Sequence, residues 1–418
     1  MRPGPPNACG KSSRTPNPFL KVPGLSLAVV GAGIGGLTAA LALARRGHRV
    51  TLIERRTGFT EVGAGLQLSP NASRILLDLN LGNALKRVVS EPDGVTIRAI
   101  GSGRELGGVA LGAFMRRRYG APYWVAHRAD LQRILLDAVR SQPAIRLVMG
   151  RSVEEVADGP DGASLTFSTA TGARDTLAID AIIGADGLWS TMRASLGDTA
   201  PPTYRGSIAW RAVIESGKAP GELAGNRTGL WLGPRGHVVH YPIAGGTLIN
   251  IVAIEQNPEP VEGWAAPGNR ETLLAQYSAA APALRALLAA PDEWLRWSLF
   301  DQPVGRIAGG RLGLLGDAAH PVLPFLAQGA ALAIEDAATL AALLPGDPRE
   351  VPDAFAAYAL ARRDRARRVQ DEARRNGRIY HASPLVAFGR NMVMRRLGAE
   401  RMTARYDWLY GFKTGDKG

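Results

Sequence analysis

Four short stretches hold the residues of this chain whose types and spacing could do chemistry. Gly31-Ala-Gly33-Ile-Gly35-Gly36 fits G-x-G-x-x-G, with Gly31, Gly33 and Gly36 in the three positions. The first glycine permits a tight turn, the second lets backbone approach a pyrophosphate, and the third lets a helix pack closely on a strand. The free N–H groups at the start of that helix would face the phosphates. Glu54 stands 18 residues beyond Gly36, where a carboxylate can accept from ribose hydroxyls. Gly184-Ala-Asp186-Gly187 and Gly316-Asp317-Ala-Ala-His320-Pro321 each place an acid behind an apolar run. A carboxylate such as Asp317, at a strand end, suits a polyol better than an anionic phosphate. In Gly236-His-Val-Val-His-Tyr-Pro-Ile243 a strand would put His237, Val239 and Tyr241 on one face and His240 on the other. At about 3.3 Å per residue His237 and Tyr241 are too far apart to bond each other. They are spaced to flank one small ring.

Elements are needed to hold these groups. Leu25–Val30 is a short apolar run with the look of a buried parallel strand. An Ala/Leu helix runs to Arg46, Gly47 stops it, and Val50–Ile53 forms a second strand ending at Glu54. That is one βαβ unit. Residues 128–141 have helical spacing, and Ile179–Gly184 reads as another apolar strand. From Tyr204 to Ile254 the pattern alternates at period 2, and Gly245-Gly246 signals a two-residue hairpin turn. An antiparallel sheet is therefore expected between parallel-strand segments. After Leu312–Gly316 the chain is expected to be helical to near residue 380, and no internal repeat is visible.

Composition excludes several classes. At 418 residues, with 46% apolar and 21% charged side chains, the chain is neither disordered nor fibrous. One cysteine, Cys9, rules out an intramolecular disulfide and any multi-cysteine metal site, and six scattered histidines give no zinc motif. Residues 1–24 contain no acid and no apolar periodicity, and read as an unstructured leader. Leu25–Ala44 is uncharged for twenty residues, but its four glycines argue against a lipid-facing helix. The protein is expected to be soluble and cytoplasmic, with no membrane and no nucleic-acid partner. The net charge of +13 rests on Arg116-Arg117-Arg118 and on the run Arg362–Arg378, where interspersed acids suggest a solvated helical face.

The glycine motif, the Asp186-Gly187 and Gly316-Asp317 motifs, Glu61-Val-Gly63-Ala-Gly65-Leu-Gln67-Leu-Ser-Pro-Asn71 and Leu326-Ala-Gln328-Gly329-Ala-Ala-Leu-Ala-Ile-Glu335-Asp336-Ala337 occur in one order. Together they resemble the single-component FAD-dependent aromatic hydroxylases, over roughly residues 25–412. Within that family the chain is most similar to the salicylate hydroxylase, 3-hydroxybenzoate 6-hydroxylase and 6-hydroxynicotinate 3-monooxygenase branch. His127-Arg128-Ala-Asp-Leu-Gln132, Gly233 to Pro242, and Tyr406-Asp-Trp-Leu-Tyr410-Gly411 carry that likeness. The tail departs from it at Phe412-Lys413, where Tyr-Asp is usual.

The resemblance implies an α/β fold: a Rossmann-like FAD-binding domain from residues 25–90, 125–200 and 300–380, with an inserted antiparallel substrate domain from 91–124 and 201–299. Residues 381–418 would form C-terminal helices. It implies FAD as cofactor, NADH or NADPH as transient co-substrate, and O2 carried as a C4a-hydroperoxyflavin that attacks a small phenolic or N-heteroaromatic acid. Glu54 would hold the adenosine ribose, Arg128 the ribityl–pyrophosphate region, and Asp317 a ribityl hydroxyl. Asp186 would support FAD and the nicotinamide path. Arg55, Gly65, Pro324, Gly329 and Ala330 would also lie against the cofactor, with the helix after Gln328 pointing its positive end at the flavin. His237, Tyr241 and Gln328 would be the catalytic residues, since a base that forms the phenolate activates the ring, by roughly 10²–10⁴ in rate. Arg205, Arg211 and Arg235 are candidate clamps for a substrate carboxylate. His320 is expected to be structural, and Glu335 and Asp336 to be helix-face packing residues. The chain would act as a monomer or homodimer. Open alternatives are a same-fold epoxidase or non-oxygenating reductase, a hydroxylase of a larger natural-product or purine-like substrate, and a basic nucleic-acid-binding protein that kept the fold.

Overall fold

The computed structural model describes residues 24–59, 65–169, 171–263 and 265–415. The expected leader up to residue 23, with Cys9, lies outside the described residues, as do Glu61, Gly63 and Ala64 of the fourth motif.

The fold is mixed α/β. Ser26–Val30 forms a strand, helix Ile34–Arg45 follows, and Arg49–Glu54 returns parallel to the first strand. Gly47 takes φ +94° just past the helix, the left-handed geometry that ends helices at glycine. Ala181–Gly184, Leu312–Leu314 and Ile145–Met149 extend this parallel sheet, and Ala308–Gly309 closes one edge antiparallel. Its strands are apolar runs because they are buried, with helix Ile34–Arg45 packed on them and Ala163, Leu165 and Ile179 of a three-stranded antiparallel sheet joining the same core. Helix Gly329–Leu343 packs on Ile34–Arg45, as does Arg128–Arg140. Leu27, Leu37, Leu52, Ile183, Leu314 and Ile334 meet in the core between them.

The apolar run 179–184 is two strands, not one. Arg174–Ile179 belongs to a three-stranded antiparallel sheet, and Ala181–Gly184 to the central one. Asp180 makes the break: its carboxylate accepts from the Ser26 N–H at 2.7 Å, and its own N–H donates to the Ser26 carbonyl at 2.8 Å.

Among the described residues the inserted sheet has eight strands, including Thr203–Glu215, Thr228–Gly233, Gly236–Ile243, Leu248–Gln256 and Trp294–Asp301. It is antiparallel except where Thr228–Gly233 runs parallel to Gly94–Ala99. The turn at Gly245-Gly246 is longer than the expected two residues. Ile243 pairs with Leu248, and Ala244, Gly245 and Gly246 all take positive φ, so the glycines serve the last two of three left-handed positions. One face buries Trp210, Val238 and Ile251 against Leu273, Leu284 and Leu288 of two short helices. The other face carries Arg211, His237, Val239, Tyr241 and Asn250 in adjacent register positions. It packs toward the parallel-sheet half through Val125, Phe325 and Leu332.

Helices Val351–Tyr380, Pro384–Ala404 and Asp407–Tyr410 complete the chain. Among the described residues no helix is long and apolar enough to cross a membrane.

Candidate active site

The glycine turn separates its three jobs cleanly. Gly31 has φ +102° and donates to the Ile53 carbonyl at 2.7 Å, and a Cβ there would lie 2.4 Å from the Ala185 carbonyl oxygen. A Cβ on Gly36 would lie 1.8 Å from the Gly31 carbonyl oxygen, so this glycine seats the helix on the strand. A Cβ on Gly35 would meet Leu315 at 2.7 Å. At Gly33 a Cβ would meet nothing within 4 Å. The protein therefore leaves open the one position where backbone must approach a phosphate. Glu54 closes the turn: its carboxylate accepts from the Ala32 N–H at 2.8 Å and the Arg56 N–H at 3.0 Å. Each oxygen keeps a lone pair for a further donor. Arg55 beside it is exposed.

Asp186 and Asp317 sit on the loops after neighbouring parallel strands. Oδ2 of Asp186 accepts from the Thr191 and Met192 N–H groups at 2.8 and 3.2 Å, while its Oδ1 is buried without a partner. Asp317 is accessible within the cleft, yet the protein around it pushes its carboxyl above the usual range, opposed by His320, Arg128 and Arg193. Arg193, a residue with no assigned role in the sequence, locks the two loops together. It is buried, and its guanidinium donates to the Ala318 and Asp317 carbonyls, both at 2.9 Å. Arg128 opens its helix and is exposed, Pro324 is exposed on its turn, and Gly329 and Ala330 form the half-buried first turn of helix Gly329–Leu343. An open glycine turn, an orphaned buried carboxylate oxygen and a helix N-terminus are a donor and acceptor set that fits FAD.

His237 and Tyr241 lie on the face of the inserted sheet that looks toward this cleft, both buried. His237 Nδ1 is 2.9 Å from Nε2 of His381, and its ring packs on Phe325 and Tyr380 at centroid distances of 5.5 and 5.2 Å. Burial, then the His381 ring, holds its pKa well below the ordinary histidine value. Tyr241 packs on Gly65, where a Cβ would come within 2.5 Å of the phenol ring. The Gly65 N–H in turn donates to Asn250 Oδ1 at 2.7 Å. Burial raises the Tyr241 phenol pKa. Gln328 is differently placed from a group free to touch substrate. Its carbonyl accepts from Asn71 Nδ2 at 3.0 Å and its amide donates to Ser69 Oγ at 3.0 Å. No hydrogen bond among the described residues joins His237, Tyr241 and Gln328. The segment from Val322 to Gln328 spans the distance, touching His237 through Phe325 and the Tyr241 cluster through Val322 and Leu326.

Two expectations about charge need correcting. The run Arg362–Arg378 is not simply a solvated face. Arg362 is fully buried, 2.6 Å from Asp336 and 2.7 Å from Glu335, and Arg365 reaches Glu335 at 2.6 Å. Glu335 and Asp336 are accordingly ionic anchors rather than helix-face packing, and His320 pairs with Asp336 at 2.6 Å. Two adjacent buried carboxylates must find cations, and the facing helix supplies them. Of the three candidate clamps, Arg205 pairs with Asp301 at 2.5 Å, Arg235 is exposed in a turn, and Arg211 lies on the site face with its guanidinium 3.3 Å from the centre of the Trp297 ring. A separate apolar groove of about 410 Å³, lined by Leu188, Trp189, Trp297 and Phe300, opens beside the Asp186 loop. His381, Tyr380, Tyr123 and Asn250 line or brace the site without belonging to any recognisable spacing, so nothing in the sequence marked them. Among the described residues no cluster of His, Cys, Asp or Glu could hold a metal ion.

Residues 25–373 match the family model described as an FAD binding domain. The chain is 34% identical to 3-hydroxybenzoate 6-hydroxylase of Polaromonas naphthalenivorans, covering 94% of this chain and 97% of that one. It is 36% identical to 3-amino-4-hydroxybenzoate 2-monooxygenase PtnB3 of Streptomyces platensis, with the same two coverages. Among solved structures it resembles Klebsiella pneumoniae HpxO complexed with FAD and uric acid, with a TM-score of 0.80, 26% identity, and 92% and 96% of the two chains covered.

Proposed function

The chain belongs to the FAD-binding-domain family, as an FAD-dependent aromatic-ring monooxygenase, and on that premise we propose that it hydroxylates a small phenolic or N-heteroaromatic acid with NAD(P)H and O2. The observation that carries this reading is His237 buried in a neutral state on the sheet face opposite the dinucleotide cleft, with Tyr241 four residues along the same face. FAD, when bound, supplies the transfer of electrons from NAD(P)H and the activation of O2.

The chain's own residues do the rest. The open backbone at Gly33 receives the pyrophosphate, Glu54 the adenosine ribose, and Asp317 a ribityl hydroxyl. Asp186 has one carboxylate oxygen to spare for the same ligand. The first turn at Gly329 and Ala330 would offer its free N–H groups to the flavin when it is bound. His237 accepts the phenolic proton, and the oxyanion left behind pushes electron density into the ring. Tyr241 packs against the ring, and Arg211, on the same face, binds the substrate carboxylate. Gln328, tied to Ser69 and Asn71, fixes the start of the helix rather than touching the proton. The apolar walls from Phe325, Val239 and Tyr380 keep water from the reacting atoms.

A screen of hydroxybenzoates and hydroxynicotinates under ¹⁸O2, with NADH or NADPH and mass-spectrometric identification of products, tests this. One labelled oxygen atom in a ring-hydroxylated product is expected. Reduced cofactor consumed with every acid, and all oxygen recovered as hydrogen peroxide, would contradict it. Uric acid belongs in the same screen because HpxO was crystallised with it; its turnover in place of the acids would move the substrate class to purines.

A further inference from the structure

The closest polar neighbour of the pocket histidine is another histidine. His237 Nδ1 lies 2.9 Å from His381 Nε2, and the ring centroids are 5.1 Å apart. One ring comes from the inserted sheet and the other from the residue just past helix Val351–Tyr380. His237 is 2% exposed, whereas His381 is only half-buried, so the pair leads from the pocket toward the surface. Neither ring bonds a carboxylate among the described residues. The groups facing the pair are Phe325, Tyr380 and, along the strand, Tyr241. Arg390, from helix Pro384–Ala404, donates to the Ile379 and Tyr380 carbonyls beside His381. Burial lowers the pKa of both rings, that of His381 to about 4, and no acid compensates, so both are neutral near pH 7. A buried base that took a proton and kept it would hold an uncompensated charge in an apolar pocket.

Resting on the reading of His237 as the pocket base, we propose that His381 is the relay that carries the substrate's phenolic proton out of the site. The phenol O–H bond breaks and its proton bonds to His237 Nε2. The proton on His237 Nδ1 passes to His381 Nε2, and the proton on His381 Nδ1 leaves to solvent water. The oxygen keeps the electron pair, and both rings end neutral with the proton on the other nitrogen. Reprotonation of the product phenolate along the same path restores the starting tautomers. His381 acts only through His237 and is a positioning and relay residue.

The test uses the full-length, FAD-loaded protein and its His381→Ala and His381→Gln variants, first matched for FAD content and melting temperature. The probe is 3-hydroxybenzoate, or whichever acid of the screen above the wild type hydroxylates. Single-turnover hydroxylation should slow at least tenfold in both variants. Flavin reduction by NADH and the affinity for the acid should change less than threefold. Added imidazole should restore at least part of the rate in the alanine variant. A glutamine carbonyl can still accept from His237 Nδ1 and hold the ring, but cannot pass a proton on. Wild-type rates in His381→Gln would therefore overturn the relay and leave His381 a mere orienter, as would an alanine variant that imidazole does not rescue. If His237→Ala itself hydroxylates as fast as wild type, it is the base assignment that fails.

Discussion

At the scale of single residues, Gly33 and Gly36 separate ligand binding from folding. A side chain at Gly36 would run into the Gly31 carbonyl, whereas one at Gly33 would point into open cleft. Gly33→Val should therefore leave the melting temperature of the flavin-free protein within a degree or two of wild type while weakening FAD binding at least tenfold. Gly36→Val should lower that melting temperature by several degrees, because backbone on both sides must shift. Calorimetry of flavin-free protein and fluorescence titration with FAD check both, and equal melting temperatures for the two variants would contradict the division. These glycines were legible in sequence because two separate constraints select the same residue: the fold excludes a side chain at Gly36, and a closely approaching phosphate would exclude one at Gly33. His381 was not, because its role exists only when a helix end meets a strand 144 residues earlier. Gln328 was legible as a position but not as a function, since its partners Ser69 and Asn71 are also remote.

At the scale of elements, strand Gly236–Ile243 serves both faces of the inserted sheet, and its histidines show it. His237 looks to the cleft. His240 looks the other way, both its ring nitrogens buried without partners, and burial with Arg98 nearby lowers its pKa to about 4. An imidazole near 6.5 in the unfolded chain takes up a proton below that pH, while the folded one resists until about 4. The unfolded state then binds more protons, so stability falls as pH drops from 6.5 toward 4, and His240 accounts for roughly 2–3 kcal/mol of that fall. His48, His237 and His381 act in the same direction. Urea unfolding at pH 7 and pH 4.5 should show a smaller loss for His240→Leu than for wild type, and an identical loss would contradict the account. The alternation that announced this strand also fixed which histidine faced which way. The parallel pairing of Thr228–Gly233 with Gly94–Ala99, and the split at Asp180, were hidden. Both depend on which segments become neighbours, and local periodicity carries no such information.

At the scale of the whole molecule, two layers meet over one cleft. The parallel sheet presents the glycine turn and the two acid-bearing loops, and the inserted sheet presents His237 and Tyr241. Helix Gly329–Leu343 joins them: its first turn is at the cleft, and Glu335 and Asp336 anchor it through Arg362 and Arg365 to the long helix behind. Arg362 and Arg365 are thus neutralised inside the protein by Glu335 and Asp336, which leaves the net charge of +13 unchanged but removes two of the arginines whose clustering the sequence showed, so a run of basic residues said little about partners. The measurement that tests the account most directly is the fate of oxygen in His237→Ala, prepared with a full complement of FAD. Flavin reduction by NAD(P)H in the presence of the aromatic acid should match wild type, while hydroxylated product forms at least tenfold more slowly and hydrogen peroxide takes its place. A variant that hydroxylates at the wild-type rate, with wild-type coupling across the pH range, would contradict it.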